Sequence, residues 1–529
     1  MAGSIPVISD KSDYIEMTLH TSVSSESDLK PEIAGLHATN SPWGLLRKLF
    51  SFPVMCMSLL AGVIFAFSAR GIAEPDIWWH LRNARNLWQS HSFSPVDTYT
   101  FTTAGTPWLS HEWLSELPFF LGFQAMGERG ILLVYFAVVV LIFVGVYYRS
   151  WRAGADCKDA AVATLGGICF AGVSLAPRTL LFGWLCMEGL LLVIDRFDRT
   201  GKGLWLLPPL FALWINLHGS WVFGMAVLAI VIGSGILQGE WGLVVARRWT
   251  PGQLRSLLLA GAASFGALFV NPFGYKLLLY PFDFLFRQQA NMRSIEEWAS
   301  VNFGSMNGKL ALALVFLLFA LPLFSSRRWR LQDVLLTGFA LWAALSHVRF
   351  LFFAGLVITP ILAPRLKLFP PYQRELDKPW LNAAIIAGVV TSITFFFPSA
   401  AQLQLKIDGM FPTKALNFMQ QRKIEGRIFN QYAWGGYMEW NAPQFKTFVD
   451  GRADIFVYNG VFDDFLRATA VDDSFEILNK YKIEYVLLPA DAQMAYVLKH
   501  SSGWRSIYAD PVSVLFERGP ATGAPATVE

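Results

Sequence analysis

The chain has 529 residues, of which 54% are hydrophobic and 16% charged, with a formal net charge of +4 and four cysteines. That balance belongs to a chain whose main solvent is lipid, and it excludes a disordered or ordinary soluble protein. The basic excess is scattered over short loops between apolar runs, so it carries no nucleic-acid signal.

Residues 1–45 are rich in Ser, Asp, Glu and Thr and lack a basic stretch followed by an apolar core, which predicts a disordered cytoplasmic tail rather than a signal peptide. Over residues 46–399, apolar runs long enough to cross about 30 Å of hydrocarbon at ~1.5 Å per residue recur. They lie near 52–69, 118–148, 159–176, 180–195, 204–216, 219–237, 255–270, 308–324, 333–346, 350–364 and 380–398. The expectation is an α-helical polytopic membrane protein with about eleven transmembrane helices. Lys and Arg concentrate in alternate loops (Arg47 and Lys48; Arg149, Arg152 and Lys158; Arg196, Arg199 and Lys202; Arg247, Arg248 and Arg255; Arg327, Arg328 and Arg330; Arg365, Lys367, Arg374 and Lys378). The positive-inside rule makes those loops cytoplasmic. Residues 71–117, the loops near 177, 217 and 271–307, the turn near 347 and everything after about 400 are then exterior. Cys56, Cys157, Cys169 and Cys186 all fall outside these segments, which leaves no disulfide framework or cysteine zinc site there.

Ionisable groups at span ends that face a cavity are functional candidates. On the exterior side the sequence places Asp76, His80, His111, Glu112 and Glu116 in the first loop. Other loops add Arg178, Asn216, His218, Asn271, Lys276, Glu296, Glu297, His347 and Arg349. No comparable set of acids and histidines occurs at the cytoplasmic ends, so one exterior site built from several helix ends is expected. Residues 77–91 put Ile77, Leu81, Ala84 and Leu87 or Trp88 on one stripe, which predicts an interfacial helix on the outer leaflet with its tryptophans in the head-group belt.

Each group also has a plainer reading. Asp76 suits an N-cap; Arg178 and Arg349 suit lipid phosphates; Asn216 and His218 suit broken helix ends. The sequence H-E-W-L-S-E at 111–116 lacks the second histidine of an H-E-x-x-H zinc site. Residues 400–518 change to period-two runs, and strands are expected in 426–440, 445–452, 484–490, 504–510 and 512–518. Helices are expected at 461–470, 473–481 and 490–500, giving an exterior α/β domain. Within it, Asp-Gly-Arg-Ala-Asp at 450–454 reads as a turn with an internal ion pair. Residues 519–529 read as a disordered tail.

The acid of Asp76-x-Trp-Trp-His80-Leu-Arg, the following Pro-x-Asp97 and the Gly105-x-x-Trp108 turn, set in a long first exterior loop, resemble membrane glycosyltransferases of the GT-C class. Within that class they resemble the first loop of oligosaccharyltransferase catalytic subunits. The layout over about residues 50–515 is similar too, whereas the motif likeness covers the first loop alone. The resemblance implies a GT-C-like fold and a sugar donor carried on a polyprenyl phosphate or diphosphate. It also implies a catalytic acid at Asp76, or else Glu74. The Trp-Trp-Asp-Tyr-Gly sequence of oligosaccharyltransferases is absent, and Tyr-Ala-Trp-Gly-Gly at 432–436 lacks its acid.

These residue types suit the chemistry. A lipid-bound phosphate leaves without a general acid, while the attacking hydroxyl needs a carboxylate base: Asp76, then Glu74 or Glu112. Arg178, Arg349 and Lys276 are the cations available to the departing phosphate. His80, His111, His218, His347 and Glu297 complete the substrate-binding candidates. A divalent cation, Mg or Mn, is left open as a cofactor. Membrane lipid and the lipid-linked donor are the expected partners; the acceptor, whether saccharide, lipid or protein, is unspecified, and nucleic acid is not expected. A lipid-linked saccharide transporter and a non-catalytic envelope assembly protein are the alternative functions.

Overall fold

The computed structural model describes residues 42–68, 71–172, 175–287, 296–325 and 327–519. The tails expected at 1–45 and 519–529 therefore lie almost wholly outside the described residues. Where the first of them ends, the helix Pro42–Leu49 has already begun, carrying Arg47 and Lys48 in its last turn.

Each apolar run carries a helix, and 66% of the described residues are helical. Among the described residues, four helices are long and apolar enough to cross a membrane: Glu128–Arg152, Met306–Phe324, Val348–Arg365 and Pro379–Phe396. Trp43–Leu49 and Phe52–Ser68 pass the same test together, bent by 41° at the break between them. The helices Leu204–Leu217, Trp221–Ser234 and Leu331–Ser346 are apolar but shorter.

The run at 118–148 is not one helix. It divides into Trp113–Met126 and Glu128–Arg152 at Gly127, whose φ is +60°. The two halves pack closely because Gly122 and Gly130 leave no room for a Cβ on either side. A similar approach of Gly167 to Gly355 seats Cys157–Ala171 against Leu351–Leu362, and every residue of the latter helix is buried.

At the other extreme stands Pro379–Phe396, with only 6% of its apolar window covered by protein, and Phe319, Leu323, Phe324, Phe395 and Phe396 are all more than two-thirds exposed. Apolar surface of that extent is unstable against water but is at no disadvantage against lipid tails. The protein is an integral membrane protein.

A small three-stranded sheet joins β1 (Gly239–Trp241) antiparallel to β2 (Val244–Ala246) and β2 parallel to β3 (Trp329–Arg330). The C-terminal region holds a second sheet of β4 (Ile428–Asn430), β5 (Tyr485–Pro489), β6 (Trp504–Ala509) and β7 (Ser513–Arg518), in the order β4-β5-β7-β6. The strands expected at 484–490, 504–510 and 512–518 form, as do helices Val461–Thr469, Ser474–Lys480 and Gln493–Lys499.

Two expected strands do not form as read. After Ile428–Asn430 the chain turns into the helix Gly435–Asn441, and 445–452 makes only a single bridge from Thr447 to Thr100. Helix wins over the local aromatic, strand-like pattern because Gly436 lets its backbone lie against Trp79, and Gly435 through Trp440 are all buried.

That packing also displaces the expected interfacial belt. Helix Ile77–Ser90 lies between the apolar helices and the C-terminal region, with Trp78 edge-on to Phe411 and Tyr437 and Trp79 edge-on to Trp108. Trp78 and Trp79 are core residues, and of the three tryptophans in this helix only Trp88 is exposed.

Candidate functional site

Asp76 stands where an N-cap would stand, but its backbone is already helical and its side chain caps nothing. The carboxylate instead faces Gly451 of the C-terminal region, where a Cβ would collide with it and with the Trp79 indole. Burial and the neighbouring Glu74 push the Asp76 carboxyl up to about 7, against the pull of His80, Arg178 and Trp79. Burial therefore outweighs the neighbouring cations at this carboxyl.

Beside it, Arg178 donates from Nε to Glu74 and from Nη1 to Glu297. Glu74 is buried, Arg178 precedes helix Leu180–Thr200, and Glu297 belongs to the short turn Glu296–Trp298. Three distant loops are thus tied by one guanidinium fork. Arg349 lies 4.4 Å from the centroid of the Trp298 ring, within electrostatic reach of Glu297, Arg178, Glu112 and Glu74.

A second cluster surrounds Glu112. His218 Nε2 is 3.1 Å from Glu112 Oε1, His111 Nε2 is 3.6 Å from the same oxygen, and His80 Nε2 is 3.6 Å from Oε2. Thr179 donates to Oε2 at 2.7 Å. Burial alone would raise the Glu112 carboxyl, but the surrounding imidazoles hold it well below the ordinary carboxylate range.

The tautomer of His218 is fixed by its other neighbour. Ser220 N–H donates to His218 Nδ1 at 2.9 Å, so the proton sits on Nε2 and is donated to Glu112. Burial lowers the His218 pKa, more than offsetting the pull of Glu112. His80 moves the other way: burial opposes its protonation, but Glu116, Glu112 and Asp76 raise its pKa. Its Nδ1 lies 3.0 Å from Glu116 Oε1, and Glu116 Oε2 accepts from Asn83 at 2.5 Å.

The C-terminal region closes the other side. Helix Ala453–Val457 presents Asp454, which accepts from the Tyr280 hydroxyl at 3.2 Å, and the Tyr280 ring stacks on His111 at 4.1 Å. Burial pushes the Asp454 carboxyl up, against His111 and Arg452. Just before this helix, Arg452 forms the internal ion pair expected of the Asp-Gly-Arg-Ala-Asp segment, and it also reaches across to the first loop. It bonds Asp450 Oδ2 at 2.5 Å and Asp97 Oδ1 at 2.8 Å, all three side chains being at most 1% exposed, with Tyr99 and Trp108 packed on the guanidinium.

Of the residues singled out in the sequence, Asp76, Glu74, Arg178, Glu297 and Arg349 form one group. Glu112, His80, His111 and His218 form the adjoining one, and His80 links the two. His347 stands behind them and donates Nδ1–H to the Trp298 carbonyl at 2.6 Å, holding the segment that carries Glu297. Lys276 does not join: it is exposed on helix Tyr275–Arg287 and pairs with none of these carboxylates.

Sequence reasoning gave no role to Asn83, Thr179 or Tyr280, and it took Gly451 and Asp454 only as parts of a turn with an internal ion pair. Asn83 was within reach, lying three residues after His80 on the same helix face. Among the described residues no three His, Cys, Asp or Glu side chains are disposed to hold one metal ion, the imidazoles around Glu112 being directed at the carboxylate.

No protein-family model and no curated protein matches the chain. Among solved structures, the apo oligosaccharyltransferase of Archaeoglobus fulgidus is similar over 83% of this chain and 70% of its own, at 11% identity and a TM-score of 0.46. ArnT from Cupriavidus metallidurans, bound to undecaprenyl phosphate, is similar over 89% of this chain and 99% of its own, at 13% identity and a TM-score of 0.49.

Proposed function

We propose that the protein is a GT-C-type membrane glycosyltransferase that moves a sugar from a polyprenyl phosphate or diphosphate carrier to an acceptor hydroxyl on the exterior face. The observation that carries this reading is the convergence of a carboxyl poised near neutrality, Asp76, with cations and histidines from four separate loops. A general base is most effective when its pKa lies near the working pH. In the reaction, the acceptor oxygen attacks the anomeric carbon and its proton passes to Asp76. The bond from that carbon to the phosphate oxygen breaks, and the phosphate leaves as an anion; attack opposite the leaving group inverts the anomeric centre.

The cations divide their tasks. Arg178 is already held by two carboxylates, so it fixes Glu74 and Glu297 and lowers the cost of ionising Asp76. Arg349, laid against the Trp298 ring, is the group assigned to the departing phosphate. Glu112 stays ionised and holds His80 and His218 in place through their Nε2 atoms. No step is assigned to a divalent cation or to Lys276.

The test is mass spectrometry of lipids and glycans from cells lacking this protein. A lipid-linked sugar should accumulate, and should persist when Asp76→Asn is supplied but disappear with the wild type. Cells with an unchanged lipid-linked sugar pool would rule out the transfer reading.

A further inference from the structure

Away from the two clusters, a cavity of about 220 Å³ opens between helix Ile77–Ser90, the first loop and the segment after Gly435–Asn441. It shares no lining residue with the groups around Asp76 and Glu112. Its lining includes Arg82 and Asn86, one turn apart on the helix, with Tyr99, Glu439 and Lys446.

The chemistry of this lining is one-sided. Arg82 is half-buried and makes no ion pair among the described residues, and Lys446 donates to the Thr98 carbonyl without meeting an acid. Asn86 donates to the Tyr99 hydroxyl at 2.9 Å, and that hydroxyl in turn donates to Asn83 Oδ1 at 3.5 Å. Glu439 is 3% exposed; its Oε1 accepts from Thr447, while Oε2 has no partner. Burial and the adjacent Asp450 push the Glu439 carboxyl well above the ordinary range. Two cations, Arg82 and Lys446, therefore face the space together with Asn86, Tyr99 and the buried Glu439 carboxyl, and neither cation pairs with an acid among the described residues. A buried polar oxygen left without a partner costs about 1–3 kcal/mol, a penalty that a bound ligand would remove.

We propose that this cavity binds a saccharide carrying one acidic group, a phosphate or a carboxylate, with the anion between Arg82 and Lys446 and the ring hydroxyls toward Asn86, Tyr99 and Glu439. The space corresponds to about seven waters at ~30 Å³ each, enough for one sugar ring and its charged substituent. The inference goes beyond the transfer reading and does not depend on it, since its test uses no donor and no turnover.

The experiment is calorimetric titration of the full-length protein in neutral detergent with glucose 6-phosphate, glucuronate, glucose and inorganic phosphate. At least one of the two acidic sugars should bind more tightly than glucose or inorganic phosphate. Arg82→Ala should weaken that binding by about tenfold or more, with Arg82→Lys recovering part of it, because one charge-assisted bond is worth ~1.5 kcal/mol or more. Lys446→Ala should weaken it as well, and both side chains reach the cavity rim, so their removal leaves the fold intact.

Three results would overturn the proposal: no binding of either acidic sugar at about 10 mM, binding unchanged in both Arg82→Ala and Lys446→Ala, or inorganic phosphate binding as tightly as glucose 6-phosphate. Loss of sugar binding to competing phosphatidylglycerol in mixed micelles would assign the cavity to a lipid head group and overturn it equally.

Discussion

Replacing Asp76 with Asn should stabilise the protein while disabling it. The carboxyl is pushed from an unfolded value near 3.8 up to about 7. A group whose folded pKa is raised contributes full stability below the unfolded pKa and loses it as pH rises through the folded one. Wild-type stability should thus decline between pH 4 and 7 and level off above, with the charge buried at a cost. Three pKa units at ~1.4 kcal/mol each set an upper bound of about 4 kcal/mol, which solvent reaching the part-buried carboxylate reduces. Asn keeps the shape and never ionises, so the variant should melt at the same temperature as wild type at pH 4 and several degrees higher at pH 8, read by scanning fluorimetry in detergent. Transfer from a polyprenyl-linked donor should fall by roughly two or more orders of magnitude in the same preparation. In the wild type, kcat/KM should rise about tenfold per pH unit below 7 and flatten above. A variant that melts lower at pH 8, or that retains transfer, would refute the assignment of a strained base to this position.

Gly451→Ala drives a methyl group into the Asp76 carboxylate and the Trp79 indole; a loss of about 1–3 kcal/mol in stability and a clear fall in transfer rate are expected, from melting and activity measured together. Arg452→Met leaves Asp97 and Asp450 buried without their cation and should cost about 3–5 kcal/mol, most of it recovered when both acids are also changed to Asn, as melting temperatures would record. Arg349→Ala should weaken binding of the lipid-linked donor and Arg349→Lys restore it in part, lacking the planar fork, while Arg178→Ala should move the pH limb of kcat/KM upward because it removes a cation that lowers the Asp76 pKa. For orientation, cysteines at the exposed Ser92 and Ser502 should react with a membrane-impermeant thiol reagent in intact spheroplasts once the native thiols are masked; labelling only after lysis would reverse the proposed sidedness.

What could be read in the sequence and what could not separate along the range of the interaction involved. The apolar runs are local and long, so helices lie under all of them, and charge at span ends marked nearly every member of the two clusters because an ionisable group at a membrane edge has few other reasons to be there. Lys276 shows the limit of that logic. It sits in a loop that meets the same criterion, yet its side chain points outward, and nothing local distinguishes an outward lysine from an inward one. Trp78 and Trp79 failed for the converse reason: a tryptophan pair beside a membrane run looks the same whether it meets head groups or, as here, Phe411, Tyr437 and Trp108. The contacts that finish the site, Gly451 on Asp76 and Asp454 through Tyr280 to His111, join residues at least 169 positions apart. Their sequence, Asp-Gly-Arg-Ala-Asp, is fully accounted for locally as a turn with an ion pair, and that ion pair does form. The third member of it, Asp97, together with the Thr447–Thr100 bridge, fastens the turn to the first loop, and it is this fastening that holds Gly451 and Asp454 beside Asp76 and His111.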